Sequence, residues 1–174
     1  MKKLLLLSLV LITQNLFITN LIAAEKSYHV THVVDGDTFD ASDGQIKFRV
    51  RMVGMDAPES KQAFGKWATV ELKKLIEGKD VVIRPVGRGL DKYNRVLGLV
   101  LLEGDDIAAR MIRQGLGYYY RPRCQDYPED KKLYDYDPRP YVEAESQARA
   151  AGLVVWSVKP ILLPCQFRKA HPHR

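Results

Sequence analysis

The 174-residue sequence contains no internal repeat, no low-complexity tract and no long run of one charge, so neither a repeat array nor a biased, unstructured segment is expected. Cysteine is scarce: Cys124 and Cys165 are the only two. No CxxC pair and no neighbouring Cys/His spacing accompanies them, which argues against a thiolate metal site. An EF-hand is excluded as well, because position 39, two residues after Asp37, is Phe rather than Asp or Asn. Nor is the charge extreme, with 27 Lys and Arg against 21 Asp and Glu, a net of +6. A pI near 9.3 suits a polyanionic partner without requiring one.

What is present begins with a stretch that reads as an export signal. Lys2 and Lys3 precede an apolar run from Leu4 to Ile12, and Ala23-Ala24 offers a small-residue cleavage site before Glu25. An uncleaved anchor is the alternative, since Leu4 to Ala24 carries no charge, but Thr13-Gln14-Asn15 and Asn20 interrupt it. The expectation is a signal over 1–24, a single domain over 25–157 and a C-terminal extension over 158–174, in a secreted or periplasmic protein. Without Lys2 and Lys3 the net charge falls from +6 to +4. In an exported chain an even cysteine pair favours a Cys124–Cys165 disulfide, whose loop of about 41 residues would contribute roughly 3 to 4 kcal/mol.

Hydrophobic patterning predicts strands over Tyr28 to Val34, Thr38 to Ala41 and Ile46 to Val53, joined by Asp-Gly turns into a meander that curls readily into a barrel. Two further strands follow at Val81 to Pro85 and Arg95 to Leu102, separated by a loop from Gly87 to Asn94. Helices are expected from the Phe64, Trp67, Ala68, Leu72, Leu75 spacing, from Asp105-Asp106 into Ile107 to Ile112, and from Pro140 through Ala148 to Gly152. Arg121 to Arg139, with Pro122, Pro128 and Pro138, reads as a long loop. Seven of the nine tyrosines fall between 118 and 141 among Arg and Lys. They are either a stacking surface for unpaired bases or a mixture of core and loop residues.

The chemistry concentrates between Val33 and Glu59. Asp35-Gly36-Asp37-Thr38 and Asp56-Ala57-Pro58-Glu59 flank a strand whose alternation places Lys47, Arg49 and Arg51 on one face. Carboxylates and a guanidinium brought together suit a metal-assisted attack on a phosphodiester. Taken singly, each residue has a plainer reading as a turn former, a solvated strand cation or a first-turn helix acid.

Taken together, with Asp91-Lys92-Tyr93-Asn94-Arg95, Ile112-Arg113-Gln114-Gly115-Leu116, Glu143 to Ala151 and Trp156-Ser157, these motifs resemble the staphylococcal nuclease family over nearly all of Tyr28 to Ser157. The resemblance implies an α+β fold, an OB-type five-stranded barrel with three α-helices. It also implies that Asp37 and Asp56, with the Ala57 carbonyl, ligate calcium, and that Glu59 activates or orients the attacking water. Arg51 and Arg95 would clamp the phosphate, Lys92 and Tyr93 would meet a neighbouring phosphate, and Tyr119 and Tyr120 would contact substrate. Asp35 is read as a supporting turn residue. The tyrosines here fall slightly earlier than the family's. The implied activity is calcium-dependent cleavage of the 5′ P–O bond in DNA and RNA by a monomer, single strands preferred. A non-catalytic OB-type nucleic-acid-binding module is the alternative.

Overall fold

The structure, a computed structural model, describes residues 25–124 and 135–172. The expected signal over 1–24 and two of the clustered tyrosines, Tyr127 and Tyr134, lie outside them. The chain opens with a meander of β1 (Ser27–Val33), β2 (Thr38–Ser42) and β3 (Lys47–Met52). A short β4 (Met55–Asp56) follows, then α1 (Gly65–Ile76), β5 (Asp80–Leu90) and β6 (Val96–Leu102). After these come β7 (Asp105–Asp106), α2 (Ile107–Arg113), β8 (Tyr118–Tyr119), α3 (Arg139–Ala150) and α4 (Pro164–Ala170).

The main sheet runs β3-β2-β1-β5-β6-β7 and closes on itself where β3 pairs in parallel with β6, Val50 opposite Val96 and Arg51 opposite Leu97. The five long strands are therefore a closed barrel, as the resemblance implies, and closure leaves none of them with a free edge. Alternation decides which side faces in: Val50 and Met52 of β3 are fully buried while Lys47 and Arg49 face solvent. The core combines Val30, Phe39, Val50, Val81, Ile83 and Val100 of the barrel with Leu72 and Ile76 of α1 and Ile107, Met111 and Ile112 of α2. Each such side chain contributes roughly 1.5 to 3 kcal/mol on full burial.

Four details depart from the sequence reading. The buried stripe of α1 is Ala68, Leu72 and Ile76 at i, i+4, i+8, whereas Trp67 faces outward and donates its indole N–H to Glu71. β5 runs on through Gly87 to Leu90, where Leu90 pairs with Val96, so the loop is only Asp91 to Arg95. The glycine-containing stretch expected as loop extends because antiparallel pairing with β6 stabilises it. Within the long loop, Pro122–Cys124 forms a single 3-10 turn. Finally, the tail contains a fourth helix, α4, initiated by Pro164 and held by the expected Cys124–Cys165 disulfide, Cα atoms 5.8 Å apart.

A second, smaller core joins Tyr118, Ala148, Val155 and Trp156, against which Phe64, Ile161 and Leu163 pack. It fastens the C-terminal extension to the side of the barrel near β4. This packing brings α4 to the acidic end of the molecule.

Candidate active site

The Asp35-Gly36-Asp37-Thr38 turn is organised by its own carboxylate, as Asp35 Oδ1 accepts the Asp37 N–H at 3.0 Å. Gly36 is required by space: a Cβ there would sit 2.6 Å from the Ala57 Cβ and 2.9 Å from the Ala68 Cβ. That approach presses the turn against the segment after β4. As a result the buried Asp37 carboxylate accepts the Thr38 hydroxyl at 3.0 Å on Oδ1 and the Ala57 N–H at 2.8 Å on Oδ2.

Arg51 turns into the same place instead of following Lys47 and Arg49 into solvent. Its Nη1 donates to the carbonyls of Met52 at 2.7 Å and Met55 at 2.9 Å, while Nη2 lies 3.1 Å from both Asp37 Oδ2 and Asp56 Oδ1. One guanidinium thus ties together two carboxylates that lie 19 residues apart in the sequence. Burial opposes its charge, but Asp37 and Asp56 more than restore it, and its pKa is raised. The acids feel the reverse: burial pushes the Asp37 carboxyl up to about 6 against the pull of Arg51, and raises Asp56 likewise.

Glu59 stands at the head of a tight turn in which its carbonyl accepts the Gln62 N–H at 2.7 Å and its own N–H donates to Gln62 Oε1 at 3.2 Å. Its side chain is half-buried and opens toward solvent. Arg95 pairs with Asp91 at 2.8 Å, and Asp91 also accepts the backbone N–H groups of Tyr93 and Arg95. The parallel β3–β6 seam sets Leu97 opposite Arg51, so Arg95, two residues earlier, is level with Arg49, and its ion pair is with Asp91 rather than with Asp37, Asp56 or Glu59. Exposed Lys92 and Tyr93 occupy the loop above it, with the Arg95 guanidinium 5.2 Å from the Tyr93 ring centroid.

The tyrosines divide. Tyr118 packs edge-on against Trp156 at 5.2 Å, and fully buried Tyr141 donates its hydroxyl to Asp106 at 2.7 Å, with Tyr136 edge-on against it. These three are core residues, not a stacking surface. Tyr119 and Tyr120 are half-buried beside β4; the Tyr119 N–H donates to Glu145 at 2.9 Å, and Glu145 also binds Arg121.

Sequence reasoning missed one residue here. Arg168 of α4 reaches across to donate to Asp56 at 3.2 Å (Oδ1) and 2.9 Å (Oδ2) and to Glu59 Oε1 at 2.6 Å. The only signal was Cys165, whose bridge implies that the tail returns to the domain; nothing distinguished Arg168 from Lys169.

Among the described residues no three His, Cys, Asp or Glu side chains form a metal-holding group. Asp37 and Asp56 bring two carboxylates together, and the Ala57 carbonyl is the expected third ligand. The donor set is nonetheless hard, anionic and oxygen-only, and a cationic group already sits on Asp56 and Glu59, so the chemistry fits a hard divalent cation.

With this geometry in view, comparison decides the family: residues 49–158 match the model of the staphylococcal nuclease homologues. The chain belongs to that family. It is 33% identical to a protein named uncharacterized endonuclease from Haemophilus influenzae, over 92% of this chain and 85% of that one. It is 31% identical to a micrococcal nuclease from Shigella flexneri over 81% of this chain and 79% of the relative. A protein named uncharacterized endonuclease from Escherichia coli is 40% identical over 45% of this chain, and the match spans half of that relative's length. Relative to the staphylococcal nuclease span, Asp37 lies before the matched residues, and Cys165 and Arg168 lie after them.

Proposed function

We propose that the protein is an exported, calcium-dependent endonuclease that hydrolyses phosphodiester bonds in DNA and RNA, acting as a monomer and preferring single strands. It would cleave the 5′ P–O bond and leave 3′-phosphates. One observation supports this reading above the rest: Asp37 from one turn and Asp56 and Glu59 from another converge on the guanidiniums of Arg51 and Arg168 at one end of a closed barrel. A binding module has no need to bury acids beside the surface that meets a polyanion.

Asp37 and Asp56, with the Ala57 carbonyl, would hold calcium, which when bound supplies positive charge at the scissile phosphate. Glu59, at the solvent-open side of the cluster, would take the proton of the attacking water or fix its direction. Arg51, whose Nη1 is anchored by two backbone carbonyls and whose Nη2 lies between Asp37 and Asp56, would offer its Nε–H to an equatorial phosphate oxygen, and Arg95 would meet a second. Lys92 and Tyr93 above Arg95 would receive the next phosphate, while Tyr119 and Tyr120 border β4 where an adjoining nucleotide would lie. The disulfide is compatible with an oxidising compartment, and no helix among the described residues is long and apolar enough to cross a membrane.

The test is digestion of end-labelled single-stranded DNA and RNA with calcium or with a chelator, beside Glu59→Gln and Arg95→Ala. Cleavage only with calcium, 3′-phosphate products and a fall of about 10²- to 10⁴-fold in each variant are expected. Products with 5′-phosphates overturn the assigned bond. Binding without cleavage at every calcium concentration replaces the nuclease by a binding module.

A further inference from the structure

The C-terminal extension is built to hold one side chain in place. Ile161 and Leu163 pack on the second core, the Gln62 side-chain amide donates to the Leu162 carbonyl, and Cys165 is bonded to Cys124. Gln62 is the residue that shapes the Glu59 turn, so the extension is coupled to that turn through its backbone as well. Arg168 follows Cys165 by three positions, which places both on neighbouring parts of the same side of α4.

We propose that Arg168 is an internal counter-cation: without a divalent cation its guanidinium holds the Asp56 and Glu59 carboxylates, and a bound cation displaces that side chain from them. This rests on the reading of Asp37 and Asp56 as cation ligands. Arg168 touches both oxygens of Asp56, so that carboxylate cannot turn an oxygen to a cation without losing a charge-assisted bond. The side chain is only half-buried, and its long stem can swing to solvent while the disulfide keeps α4 in position.

Displacement costs affinity in proportion to how rarely Arg168 is away. Calorimetric calcium titration of the disulfide-intact protein and of Arg168→Gln reads this directly, and calcium-induced shifts in Tm give an independent measure. The expected result is calcium affinity about tenfold or more tighter in Arg168→Gln. The variant should also melt lower than the parent without calcium and match it at saturation, because Arg168 supports the cluster only when no cation is bound. Unchanged or weaker affinity in the variant, or a deficit in Tm that calcium leaves in place, overturns the proposal. Absence of calcium binding in both proteins overturns the reading of the site and this inference with it.

Discussion

Two Asp-Gly turns lie within ten residues of each other in the chain, and their fates differ. Around Asp43-Gly44, every bond is local or exposed: Asp43 Oδ1 accepts the N–H groups of Gln45 and Ile46, the Gly44 N–H donates to the Ser42 hydroxyl, and Lys26 pairs with Asp43 at 3.0 Å in solvent. Around Asp35-Gly36, the same local bond from Asp37 N–H to Asp35 forms, but the next carboxylate is buried and taken up by Ala57, twenty residues on, and by Arg51. Local satisfaction makes a turn; a carboxylate left over for distant partners makes a site.

Replacing that leftover carboxylate separates the two turns most widely. Asp37→Ala should lower cleavage by about 10²- to 10³-fold in steady-state assays, whereas Asp43→Ala should leave it within twofold. Equal losses would erase the distinction between the turns.

The glycines sharpen it by mechanism. Gly36→Ala forces a Cβ into Ala57 and Ala68, and overpacking of that kind costs about 1 to 3 kcal/mol, read as a fall in Tm of several degrees. Gly44→Ala meets open space and pays only for a φ of +94°, about 1 kcal/mol. A Gly44 variant that melts below the Gly36 variant would contradict the packing argument.

The smallest effect is in acid. Backbone donors from Ile46 and Gln45, together with Lys26, lower Asp43 from its ordinary 3.8 to about 2. Folded Asp43 therefore releases its proton more readily than the unfolded chain does. The stability it gives is fully present above pH 4 and is lost as pH falls through 2. The Tm difference between the parent and Asp43→Asn should close over that interval, and a constant difference would show that the carboxylate charge plays no part.

Much of the molecule was legible from residues near one another in the chain. Alternation in Lys47 to Met52 marked β3, Asp106 marked the start of α2 by capping Ala109, and Gly78 at φ +76° marked the end of α1. Trp67 was misplaced because helical spacing says which residues share a stripe but not which stripe the barrel covers. The β5 extension was hidden because its reward is pairing with Val96 in another strand. The tyrosine cluster looked like one surface because proximity in sequence does not separate Tyr141, facing α2, from Tyr119, beside β4.

By itself the sequence determined the strand and helix periods, the two acidic turns, the pairing of its only two cysteines and the acidic and basic residues available to the site. All of these depend on short-range sterics, on burial with a period of two or 3.6, or on the identity of reactive groups. Tertiary structure alone decided that Arg51 turns inward while Lys47 and Arg49 do not, and that Arg168 crosses 112 residues of sequence to rest on Asp56. Those outcomes depend on barrel closure and on apolar packing of the tail, where the free energy lies in contacts between segments and no local pattern records which charges will meet.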